Sequence, residues 1–220
     1  DHTAEAATAN PPANGFGAII PPTFGDIDIS SNVPTDNFAA STDLNAYVFD
    51  IEATKDTQFC AWSLGVGCGI RYARVEQGYL ARLSDSGDDL LGQIDYRHSV
   101  EGFGPTISAM AIRPINCQTG IFAKARGSLL YGDGESNLTA GEDIDLATPF
   151  NTTRTTSRYD LLSIAEIQVG FQWHSPYHRV YQPFFTAAME GQMWHGAGTA
   201  TSEEGTLGFF GFTTGAGLEW

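Results

Sequence analysis

"WSLGVGCGIRYARVEQGYLARL", residues 62–83, alternates strictly through its first half. Trp62, Leu64, Val66, Cys68, Ile70 and Tyr72 share one parity, while Ser63, three glycines and Arg71 take the other. A period of two marks a strand with one apolar face. Near Arg74 the pattern shifts, which predicts either a bulge or a continuation of the strand beyond an apolar zone.

The same alternation recurs along the chain. "NAYVFDIEAT" sets Tyr47, Phe49, Ile51 and Ala53 against Asp50 and Glu52. A segment over about 93–112 is strand-like but ambiguous in its facing. "GIFAKARGSLLYG" sets Ile121, Ala123, Ala125, Leu129 and Tyr131 against Lys124 and Arg126. "LLSIAEIQVGFQW" sets Ile167, Val169, Phe171 and Trp173 against Glu166 and Gln168. "FFTAAMEGQMW" sets Phe185, Met189 and Met193 against Glu190 and Gln192, and "LGFFGFTTGAGLEW" closes the chain on Trp220. No segment carries a convincing helical period, so the fold class is all-β.

Composition narrows the surroundings. A net charge of -15 leaves no basic cluster for phosphate, which excludes nucleic acid as a partner. Charged residues are 17%, below the roughly 25% usual in soluble domains. No run reaches the ~18 apolar residues of a membrane helix, although barrels hide their apolar surface in alternation. Segments of about ten residues suit a tilted membrane strand better than the roughly five-to-six-residue strands of soluble sheets. One face collects the charges and the other carries almost none. In an outer-membrane barrel the apolar face meets lipid; in a soluble sandwich or lipocalin-like barrel it faces inward. Both assignments satisfy the alternation.

Residues 1–43, rich in Pro, Gly, Asn and Asp, read as an arm or linker with one short strand around Phe24–Ile29. Residues 44–220 read as the barrel, an antiparallel up-and-down transmembrane barrel of about eight strands, or part of a larger one. The links near 55–59, 114–118 and 174–182 are short, whereas those near 84–91, 133–157 and 196–205 are longer and more acidic. That is the asymmetry of periplasmic turns and outer loops, and it sets the C-terminus on the periplasmic side. Trp62, Trp173 and Trp220 then fall at the turn ends. Tyr131 and Trp194, with Tyr79 and Tyr96, fall near the loop ends, as interface girdles would.

Taken in order, "WSLGVGCGIRYARVEQGYLARL", "SVEGFGPTISAMAIRP", "IFAKARGSLLYGDGESN", "LLSIAEIQVGFQW" and "LGFFGFTTGAGLEW" resemble the Lpg1974-type pore-forming outer membrane proteins. These are similar to major outer membrane porins and are common in planctomycetes. The resemblance covers about residues 44–220. It implies a bacterial outer membrane, a pore-forming barrel and no cofactor. It also implies contact with lipid and lipopolysaccharide, and recognition of the terminal strand by the barrel-assembly machinery. An even strand count would require an eighth strand within 22–43, or a larger barrel shared between chains.

If the polar face lines a lumen, Asp50, Glu52, Arg71, Lys124, Arg126, Glu166, Gln168, Glu190 and Gln192 line it. They form either a charged constriction or, in a narrow barrel, an ion-paired plug. Cys60 and Cys117, both at turn ends, form a candidate disulfide, and Cys68 reads as a small hydrophobe. The acidic loops suit a solvated face or divalent bridging to lipopolysaccharide better than a calcium site, having no EF-hand spacing. His174 and His178 lack a third zinc ligand, so no metal is expected. Asn137 and Asn151 open chance sequons. His195, with Ser202 and Glu203, has no triad spacing, so no enzyme is expected.

The leading expectation is porin-like passive passage of small hydrophilic solutes. The alternative is a non-conducting structural or surface barrel whose acidic loops contact partners or neighbouring copies, a homo-oligomer among them. A soluble all-β binding domain is the third.

Overall fold

A computed structural model describes residues 2–3, 7–9, 17–19, 29–142, 152–175, 182–198 and 205–219. All its elements are strands: β1 (His2–Thr3), β2 (Ala7–Ala9), β3 (Gly17–Ile19), β4 (Ile29–Ser31), β5 (Asn37–Phe59), β6 (Trp62–Ser84), β7 (Leu90–Pro114), β8 (Thr119–Glu142), β9 (Thr152–His174), β10 (Gln182–His195) and β11 (Thr206–Glu219). Strands β5 to β11 pair each with the next, antiparallel and up-and-down. The arm lies on the other edge of β5, with β1 opposite Asp43–Leu44 and β2 opposite Phe38–Ala40. The result is an eight-strand curled sheet, a half-barrel. Among the described residues the eighth position is thus filled by β1 and β2, while β3 and β4 pair separately.

The turns explain the tight hairpins at one end. Cys60 takes a positive φ of 54° in the two-residue link between β5 and β6. Asn116 Oδ1 accepts the amides of Gln118 at 2.9 Å and Thr119 at 2.7 Å, closing β7 onto β8. At the other end, Asp85 Oδ1 accepts the amides of Gly87 and Asp89 at 2.7 and 2.9 Å. The links expected to be long at this end are largely taken up by strand: β6 runs to Ser84 and β8 to Glu142. The sheet likewise begins at Asn37, ahead of the expected start at Leu44.

Strand β6 shows what this lengthening means. Its register with β5 is unbroken from Phe59↔Trp62 to Asn37↔Ser84, so there is no bulge at Arg74. Odd residues face the concave side throughout, from Gly65 through Arg71 and Val75 to Leu83. What changes is the chemistry of each side. Below Tyr72 the convex side is apolar; above it the convex side carries Arg74, Glu76 and Arg82. Strand β7 repeats the change, with Phe103 and Ile107 outward in one half and Asp95, Arg97 and Glu101 outward in the other. The 93–112 segment was ambiguous because it straddles both halves.

The apolar belt from Trp62 to Tyr72 is ten residue steps of about 3.4 Å, or about 26 Å tall at a tilt of about 40°. That matches the roughly 25 Å apolar band of outer-membrane barrels. Its residues are bare, with Ile107 67%, Phe171 59% and Phe212 83% exposed. Above the belt the concave side is packed with apolar residues. Ala73, Val75, Val100, Leu130, Leu162, Ile164, Trp194 and Ala197 form one cluster, and Ile29, Phe38, Ala81, Leu83, Ile94, Tyr96, Leu138 and Ala140 another. Ile29, from the arm, fills the second. Gln77, whose amide donates to the Ala197 carbonyl at 3.0 Å, and the His98–Ser136 pair at 2.8 Å lie on the same concave side.

Candidate functional site

Within the height of the apolar belt, the concave face carries a connected set of charges. The register brings them together: Asp50 lies opposite Arg71, and Arg126 lies opposite Glu166. Arg71, 1% exposed, donates through Nε and Nη2 to Asp50 at 2.6 and 2.9 Å. Its Nη1 and Nη2 also reach Glu166 at 2.7 and 3.2 Å. One guanidinium therefore makes two bidentate pairs, joining β5 and β6 to β9 across the curve of the sheet. Arg126 extends the set, with Nη1 to Asp50 at 2.8 Å and Nη2 to Glu52 at 2.8 Å. Lys124 Nζ stands 3.9 Å from Glu52, and Ser108 donates to the same carboxylate.

Room for this network comes from the glycines of β6. A Cβ on Gly67 would collide with the Glu52 carboxylate and the Ser108 hydroxyl. Below the network a cavity of about 350 Å³ opens towards the turn end, with Asp56, Lys124, Gln168 and Gln172 among its polar walls. Above it lies the apolar cluster around Val75, Leu130 and Trp194.

All nine residues expected on the polar face lie on the concave side. Six of them, Asp50, Glu52, Arg71, Lys124, Arg126 and Glu166, form the network. Gln168 lies in the cavity below, and Glu190 and Gln192 sit near the edge of the sheet, hydrogen-bonded to each other at 2.5 Å. The aromatic expectations divide. Trp62, Tyr131 and Trp173 face outward at the ends of the belt. Trp194 does not: it is 1% exposed on the concave side, donates to Gln192 at 2.8 Å and meets Phe209 edge-on at 5.8 Å. Tyr96, 2% exposed and stacked on His98, and Tyr79 are also inward. At the loop end the apolar side is the inside, so aromatics there go to the core. Trp220 lies outside the described residues, as do His178, Asn151, Ser202, Glu203 and residues 24–28.

The proposed disulfide is absent: Cys60 and Cys117 are free and exposed. They occupy turns centred on the β5–β6 and β7–β8 hairpins, two strand spacings or about 10 Å apart, beyond the roughly 7 Å Cα limit of a disulfide. Ser128, on the polar face with Lys124 and Arg126 by its parity, is buried on the concave side and donates to Thr106 at 2.9 Å, a partner that sequence reasoning missed. His195 pairs outward with Thr206 at 2.9 Å.

A family model described as Legionella pneumophila major outer membrane protein precursor matches residues 23–194. No curated protein and no solved structure matches the chain.

Proposed function

The chain belongs to the Legionella pneumophila major outer membrane protein family, a protein of the bacterial outer membrane, and from that premise we propose that it is a narrow barrel with a closed interior. In this reading it serves as an envelope anchor and surface protein. The observation that supports it is Arg71, buried and saturated by Asp50 and Glu166 directly beneath a packed apolar cluster. Solute would have to break charge-assisted pairs and then cross a dry core. An eight-stranded interior has room for side chains alone.

Above the belt the convex surface mixes acids with Arg74 and Arg97, and Arg74 reaches Glu101 at 3.4 Å. This surface would stand in the headgroup layer and beyond, suited to lipopolysaccharide through divalent cations and to neighbouring copies. The terminal strand would present itself to the barrel-assembly machinery. The reading carries no enzymatic step.

A second reading, porin-like passage of small hydrophilic solutes as in the Lpg1974-type proteins, is favoured by the open edges of the sheet, which a larger shared barrel would use. Planar-bilayer recording separates the two. Folded, heat-modifiable protein that stays silent supports the closed barrel. Reproducible single-channel steps from the same sample would overturn it in favour of the porin.

A further inference from the structure

Below the ion-pair network the concave face keeps polar groups that the network does not use. Asp56, Gly65, Met110, Lys124 and Gln168 lie on one row across β5 to β9. All five line the cavity of about 350 Å³, and Gln172 lines it nearer the turn end. The three cations of the network are matched by Asp50, Glu52 and Glu166. Asp56 meets no cation and no hydrogen-bond donor among the described residues. An ionisable side chain at membrane depth calls for a partner and marks a functional site by default.

Donors are unspent on the facing wall. Lys124 Nζ stands 3.9 Å from Glu52, beyond hydrogen-bond reach, so none of its N–H groups is bonded among the described residues. Gln172 is 7% exposed, and its amide is likewise unbonded, as is that of Gln168. A buried amide without a partner is costly in a folded chain. Gly65 keeps the middle of the row clear, since a Cβ there would come within 2.6 Å of Asp56 Oδ1. The remaining walls are apolar, with Met110, Phe122 and Phe184. A lone acceptor on one side, lone donors on the other and an apolar floor complement a ligand with two opposite charges and a hydrocarbon group. An amine alone would leave the Lys124 donors unmet, and a carboxylate alone would leave Asp56 unmet. The volume lies near the low end of the roughly 300–1,000 Å³ of ligand pockets, which suits a small molecule.

We propose that this cavity binds a small zwitterion of the neutral α-amino-acid class, entering from the turn end. Its ammonium sits on Asp56, its carboxylate on Lys124 and the Gln172 amide, and its side chain against Phe122 and Phe184. The inference rests on the barrel reading, in which the concave face is an interior, and not on whether that interior conducts.

The test is calorimetric titration of the full chain, folded in detergent micelles as judged by heat-modifiable migration. L-leucine and L-phenylalanine are expected to bind about ten-fold more tightly than glycine, which lacks the apolar group. Leucine should also bind about ten-fold more tightly than 3-methylbutylamine or 4-methylpentanoate, each of which keeps one of its two charges. Asp56→Asn should erase the preference for leucine over 4-methylpentanoate, and Lys124→Gln the preference over 3-methylbutylamine. The ligand series on the unaltered chain decides the matter even where a variant loses heat-modifiable migration. No binding of either amino acid, equal binding of leucine and its two single-charge counterparts, or unchanged discrimination in folded Asp56→Asn would overturn the proposal. Binding together with single-channel steps would leave the site standing and overturn the closed interior. Silence without binding would do the reverse, so the two failures are distinguishable.

Discussion

The lower and upper halves of β6 are one strand with one parity and two opposite chemistries. In the lower half Ile70 and Tyr72 face out and Arg71 faces in; a few residues further on, Arg74 and Glu76 face out and Ala73 and Val75 face in. The backbone does not change across this boundary, and the surroundings do. Below it the outside is hydrocarbon, so apolar residues lie there and charge retreats to the interior, where it must be paired. Above it the outside is water and the interior becomes an ordinary hydrophobic core. The same fold is held together by ion pairs in one half and by packing in the other. Each half should therefore fail to a different kind of substitution.

The largest effect is expected where charge is buried. Arg71→Met leaves Asp50 and Glu166 with Arg126 as their one remaining shared cation, at 2.8 and 3.5 Å. Breaking a buried pair in this way costs about 3–5 kcal/mol. Urea unfolding in lipid vesicles, followed by tryptophan fluorescence, should show the loss. Adding Asp50→Leu and Glu166→Leu to the same chain should recover part of it, because apolar replacement of a buried ion-paired triad is often neutral while Arg126 keeps its pair with Glu52 at 2.8 Å. Failure of the triple variant to recover would mean that the network holds the lower half by more than charge balance.

The upper half should answer to volume. Leu130 is fully buried in the cluster with Val75, Ile164 and Trp194. Leu130→Ala is expected to cost about 3 kcal/mol through lost transfer energy and the cavity left behind. Leu130→Met, which keeps the volume, should cost less than about 1.5 kcal/mol. The corresponding change in the lower half, from one polar residue to a smaller one, has no such volume dependence, which is the contrast the pair would sharpen.

These halves also explain what the sequence made legible. Alternation grouped the nine polar-face candidates on a single side of the sheet, since parity is local and survives any surroundings. It did not say that the surroundings change midway. The apparent parity shift near Arg74 and the ambiguity of 93–112 were that change seen from the sequence alone. Trp194 was misplaced for the same reason: it was put at an interface by its position near a loop, although its parity with Glu190 and Gln192 already put it inside. The eighth sheet position was not legible at all. His2–Thr3 and Ala7–Ala9 belong to a stretch with no sustained pattern, and their place beside β5 is set by backbone pairing to an open edge.

The convex surface holds both a sizeable effect and the smallest one, and the two together bear most directly on where the membrane ends. Ile167 stands midway down the belt on β9, 60% exposed. Ile167→Lys puts a charge at the bilayer midplane and should cost about 2–4 kcal/mol by the same vesicle unfolding. Ser99→Lys makes a comparable change on the same surface above the belt. Ser99 lies opposite Glu76 on one side and Glu135 on the other. A lysine there meets two carboxylates in water, and cross-strand pairs of opposite charge contribute roughly 0.2–1 kcal/mol. Ser99→Lys should therefore be neutral or slightly stabilising, with any gain fading as salt is raised. Equal costs at the two positions would mean that hydrocarbon covers the full length of the strands, and the division at Tyr72 would be lost.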